Sequence, residues 1–124
     1  GVPSFAFIER TRQAAVPDAS LQATAIAVVR SMRRPCVLLT VALDAEGSLT
    51  VRSITRSHTF LDAVAVEMGQ EVASESIVSH LFGTRLADEK VIVEDAGWWG
   101  GSNGKVTVAA VSRAEFVYAL LSPG

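Results

Sequence analysis

The residues of this chain that could do chemistry are few and far apart. His58 and His80 are its two imidazoles, 22 positions from each other. Neither has a second His or a Cys at ligand spacing, so a metal site would need carboxylates gathered from elsewhere. Cys36 is the single cysteine, which excludes an intrachain disulfide and a thiolate cluster. It follows Pro35 at the head of an apolar run, where a small buried thiol is expected, not a nucleophile. Asp88-Glu89 and Glu94-Asp95 are paired acids in polar stretches and read as solvated turn acids. The Gly-rich run GWWGGSNG, 97–104, follows no apolar strand that leads into a helix, so it is not a phosphate cradle. No serine stands in a G-x-S-x-G elbow. The expectation is a chain with no catalytic residues, no cofactor and no metal.

Binding residues are easier to nominate. Trp98 and Trp99 are adjacent, and in an extended segment adjacent side chains point opposite ways. One is therefore expected in the core or as a lid on it, and the other as an apolar anchor for a partner; the alternative is that both pack under the loop or under the N-terminal helix. Arg30, Arg33 and Arg34 crowd the end of a predicted helix, where they complement the negative end of its dipole or form a patch for acidic groups. Arg52 and Arg56 lie on a predicted strand and complete the candidate set.

The elements that must position these residues follow from periodicity. Val37, Leu39, Val41 and Leu43 share one strand face and Leu49 and Val51 another, with Asp44-Ala45-Glu46-Gly47 between them, which predicts a β-hairpin over 36–55. Before it, Leu21, Ala25, Val28, Val29 and Met32 form a helical stripe between Pro17-Asp18 and Pro35, predicting a helix over about 19–33. After it, Leu61, Val64, Met68 and Val72 predict a second helix over about 60–72. The apolar run 76–82, with Ile77 and Val78, reads as a short strand, and Gly83-Thr84-Arg85 as a bend. An irregular segment leads to a strand over 105–111, announced by Asn103-Gly104. Ser112-Arg113-Ala114-Glu115 has capping-box spacing, so 116–121 is expected as a short closing helix, with a further strand as the alternative. Residues 1–16 carry Phe5, Phe7 and Ile8 without a clear period and read as an added edge strand or a lead-in.

Composition bounds the function class. The 124 residues suffice for one domain, and 49% hydrophobic content supports a core without staples. No apolar run reaches the length of a membrane span and no signal peptide is visible, so an intracellular, cytoplasmic setting without membrane association is expected. The net charge is −2, which argues against a nucleic-acid module. The sign is uneven: residues 1–60 hold seven basic and four acidic side chains (+3), and residues 61–124 hold four and nine (−5). If the fold keeps those halves on different faces, such polarity suits docking on a protein partner or head-to-tail on another copy; the alternative is a solvated surface with chance asymmetry.

In order and spacing, residues 36–111 resemble the ubiquitin-like β-grasp. The hairpin 36–55, the helix residues Leu61, Val64 and Met68, the bend Phe82-Gly83-Thr84-Arg85-Leu86 and the strand residues Val106 and Val108 carry the likeness. The resemblance implies an α+β domain, 1–124, with an extra N-terminal helix in a 1–35 extension, a β-grasp core over 36–111 and a tail over 112–124. It also implies that Val93 and Ala96 plug the core, and that the last strand runs beside the first. Conjugated modifiers of that family end in Gly-Gly just after the last strand, whereas here Gly100-Gly101 lies in a loop and the chain runs on through AEFVYALLSPG. The function expected is a non-catalytic protein-interaction or self-assembly module. The alternative is a small enzyme or ligand-binding subunit, with a pocket between the N-terminal helix and the sheet lined by His58 or His80.

Overall fold

A computed structural model of the chain describes residues 4–15, 20–59, 64–82, 89–101, 104–113 and 115–123. Two helices open it, α1 (Phe5–Ala15) and α2 (Leu21–Ser31), followed by the hairpin β1 (Val37–Leu43) and β2 (Leu49–Arg56). Next come a short helix α3 (Ile77–Leu81), the strand β3 (Lys90–Asp95), a 3-10 turn (Ala96–Trp99), and a second hairpin β4 (Lys105–Arg113) and β5 (Phe116–Pro123). The five strands form one sheet in the order β2-β1-β5-β4-β3, every neighbouring pair antiparallel. The α+β class holds.

The β-grasp resemblance does not. The strand beside β1 is β5, which lies outside 36–111 and runs antiparallel to β1. The expected closing strand, β4, stands between β5 and β3. Residues 64–72 of the expected 60–72 helix are irregular, with Met68-Gly69 in a turn; Phe60 and Leu61 lie outside the described residues, as does the bend 83–86. Residues 66–72 instead run along the outside of β2: Val51 N–H donates to the Gln70 carbonyl, Gly69 N–H to the Val51 carbonyl and Val72 N–H to the Leu49 carbonyl. Backbone partners outweighed the helical stripe.

Two other assignments reverse for related reasons. The run 76–82 is a helix because Ser76 caps it, its Oγ accepting from Val78 N–H. The capping-box spacing at 112–115 starts no helix. Arg113 and Phe116 face each other across a tight hairpin end, and 116–121 lies within β5, which has a ladder partner on both sides. The strand given as the alternative is the one that forms: β4 is its hairpin neighbour, while its other partner, β1, is distant in sequence and gives no local sign. The segment 5–15 is helical, its first amides held from afar: the Glu89 carboxylate accepts from Phe5 N–H at 2.6 Å and Ala6 N–H at 3.3 Å.

Both sheet faces are covered. Phe5 and Ile8 of α1 and Ala25 and Val29 of α2 pack on Leu38, Ala109, Val111 and Leu120. On the opposite face Val37, Leu39, Val41, Val108, Ala119 and Leu121 pack under Val64, Val66, Val78, Leu81 and Trp99. This is why β1 reads VLLTVAL, an almost continuous apolar run, and not an alternating one. Leu43, expected to face inward, is exposed at the hairpin end, and Val93, expected as a core plug, is exposed as well; Ala96 is buried. Among the described residues, no helix is long and apolar enough to cross a membrane.

Candidate functional site

The tryptophan pair divides between inside and outside. Trp99 is 1% exposed and its Nε1–H donates to Glu94 Oε1 at 3.0 Å, whereas Trp98 is 36% exposed. The turn that separates them is built by short-range contacts. Asp95 Oδ1 accepts from Gly97 N–H, and Gly100 closes the turn at φ 80°, a left-handed conformation in which its N–H reaches back to Ala96 and Gly97 carbonyls. The turn is pinned from above, since Ala65 N–H donates to the Trp99 carbonyl.

Glu94 anchors this corner. It is buried, and its carboxylate accepts from three donors: Ser76 Oγ–H and Trp99 Nε1–H on Oε1, and Ile77 N–H on Oε2 at 2.6 Å. It thereby ties β3 to the start of α3 and to the core tryptophan. Burial of a carboxylate is tolerable only when its lone pairs are satisfied in this way.

Beside Trp98 lies an open depression of about 330 Å³ lined by Glu75, Ile77, His80, Ile92, Val93 and Glu94. It is on the α3 side of the sheet, not between the N-terminal helices and the sheet. His80 lines it; His58 is exposed where the chain leaves β2, its N–H bonded to the Met32 carbonyl. The depression flanks an edge strand of unusual character. In β3, Val91, Ile92 and Val93 are 52%, 43% and 58% exposed, three apolar β-branched residues in a row with no strand beyond them among the described residues. A long, flat, apolar sheet edge is a template for another chain. The chain matches no family model and no curated protein.

The arginines lie elsewhere. Arg30 is in the last turn of α2 and Arg33 and Arg34 are in the bend after it, all exposed on the layer that covers the opposite face from Trp99. Arg52 is the extra residue of a β-bulge: Thr40 faces Ser53 and Val41 faces Val51, leaving Arg52 between them, exposed. Arg56 is linked to the tryptophan turn, its guanidinium donating to the Val66 carbonyl next to Ala65. Trp98 and the arginine triplet therefore do not form one surface. The β3 edge escaped the sequence reading, although the triplet Val91-Ile92-Val93 between charged residues was its visible signal.

Chemistry is poorly provided for. Among the described residues no group of three or more His, Cys, Asp or Glu gathers to hold a metal. Cys36 is fully buried, its N–H bonded to Ser57 Oγ, and burial pushes its thiol up to about 12, far from the thiolate a nucleophile needs.

Proposed function

We propose that this chain is a non-catalytic protein-docking module whose contact surface is the β3 edge together with Trp98. The observation that carries the reading is the exposure of Val91, Ile92 and Val93 on a terminal strand beside a half-exposed tryptophan. Main-chain groups of such an edge supply affinity, and the flanking side chains supply selectivity. Trp98 is the apolar anchor, and the depression next to it receives a partner side chain. The exposed arginines Arg30, Arg33, Arg34 and Arg52 act at longer range, orienting an acidic partner before contact.

A substrate pocket is the weaker reading of the same depression. Its one buried polar group, Glu94, already accepts from Ser76, Ile77 and Trp99, so its bonds are spent on holding the fold. Photo-crosslinking from position 98, with benzoylphenylalanine in place of Trp98 in the cell that makes the protein, tests the proposal. Protein adducts that disappear on adding Val93→Lys are expected. No protein adduct, or adducts indifferent to Val93→Lys, would overturn it.

A further inference from the structure

We infer that the occupant of the β3 edge is β3 of a second copy, paired antiparallel about a two-fold axis at Ile92 to make one continuous sheet; this rests on the docking reading above. The phase of the β3–β4 ladder decides which backbone groups are available. Ala96 N–H donates to the Gly104 carbonyl, and the register pairs Ile92 with Val108 and Glu94 with Val106, so the even-numbered residues bond to β4. Val91 and Val93 therefore turn their N–H and C=O groups outward.

Symmetry restricts the rest. A two-fold axis normal to a sheet keeps each residue on its own face, and directly opposed residues of an antiparallel pair share a face. The numbers of paired residues must then add to an even number. Centring on Val91 would set Val93 against Glu89, and centring on Val93 would set Val91 against Asp95. Only the axis at Ile92 matches the apolar triplet wholly to itself, Val91 on Val93, Ile92 on Ile92 and Val93 on Val91. In that register the two outward valines of each copy exchange backbone bonds with those of the other.

Charge is mixed in this register: it sets Glu89 opposite Asp95, acids held on their own copy by the Phe5 and Ala6 amides and by Gly97 N–H and the Lys105 ammonium, and it brings one opposite-charge pair. Lys90 of one copy stands opposite Glu94 of the other, at the depression that the exposed Glu75 also lines. Glu94 itself is buried, so the exposed carboxylate at that rim is Glu75. Head-to-tail pairing of β3 on the first half of β2 is blocked, because the outer groups at Leu49 and Val51 already bond to Val72, Gln70 and Gly69. Two-fold pairing uses the β3 edge of both copies and closes the assembly there.

The test is disulfide trapping of the full chain, with sedimentation velocity over about 1 to 100 µM as its companion. Cα atoms lie about 4.5 Å apart in the Ile92–Ile92 pair and about 5.5 Å apart in the hydrogen-bonded Val91–Val93 pairs, both within disulfide reach, whereas residues displaced by two positions are about 7 Å apart and outside it. Ile92→Cys is expected to give a covalent dimer under mild oxidation. Val91→Cys and Val93→Cys are each expected to give roughly tenfold less alone, yet to link when mixed. Native Cys36 is buried and serves as the silent control. Lys90→Glu, which leaves the core untouched, is expected to raise the dissociation midpoint about tenfold. A monomer at every concentration, or a dimer that Ile92→Cys does not trap, would overturn the inference. In either case adducts from position 98 to a different protein would leave the docking reading standing, and their absence would remove both.

Discussion

At the scale of single residues, the decisive side chain is a buried carboxyl group. Glu94 accepts from Ser76, Ile77 and Trp99 at once, so truncating it strands buried donors as well as removing a carboxylate. Each buried group left unsatisfied costs about 1–3 kcal/mol. Glu94→Ala is therefore expected to lower the unfolding free energy by roughly 3 kcal/mol or more in urea titration, and Glu94→Gln, which keeps the shape and an acceptor oxygen, by clearly less. Equal losses would mean that the bonds are incidental. Cys36 gives a second prediction, on pH. Burial raises its thiol from 9.0 to about 12, so the folded state holds the proton more tightly than the unfolded chain. Stability from this group is complete below pH 9 and falls as pH rises toward 12. Urea midpoints at pH 7 and pH 10.5 are expected to differ more for the native chain than for Cys36→Ala. Tyr118, also raised by burial, remains in both proteins, so the comparison isolates the thiol.

At the scale of elements, what was legible was what is local. The hairpin 36–55 and the strand over 105–111 are visible because alternation and turn residues lie within a few positions of each other. The helix over 19–33 is visible as a stripe, and the structure places α2 inside that span. What failed had distant partners: α1 is capped by Glu89, residues 66–72 follow the edge of β2, and β5 fills a slot between β1 and β4. The same holds for the candidate site. Adjacent tryptophans are readable, but that β3 ends the sheet is a property of strand order and of no residue in it. The turn after β3 provides the test at this scale. A Cβ on Gly100 would lie 2.6 Å from the Ala65 carbonyl oxygen, and its φ of 80° is itself costly for any other residue. Gly104 shares a positive φ but has open space around it. Gly104→Ala is expected to cost about 1 kcal/mol from backbone strain alone, and Gly100→Ala distinctly more, with Trp99 fluorescence shifted as its turn gives way. Identical midpoints would show that the 64–66 segment yields without cost.

At the scale of the whole molecule, the sheet is central and everything else is cover. α1 and α2 close one face; α3, the tryptophan turn and residues 64–72 close the other. The sheet's second face explains the helices before the hairpin, since without α1 and α2 Leu38, Ala109, Val111 and Leu120 would stand in water. It also explains why the chain does not stop at residue 111. β5 is the middle strand, bonded to β1 through the register Val37–Leu121 to Val41–Val117 and to β4 from Val106–Pro123 to Arg113–Phe116. Cutting it out leaves two hairpin fragments, β1–β2 and β3–β4, with no backbone bond between them. A lone two-stranded unit is marginal in water, and each fragment here would lose one or both apolar covers. The fragment 36–111 is accordingly expected to show the circular dichroism of an unordered chain and no cooperative melting, while the full chain unfolds in a single transition. A cooperative melt of 36–111 would mean that its strands pair directly, the arrangement the β-grasp resemblance implied and the antiparallel order β2-β1-β5-β4-β3 forbids.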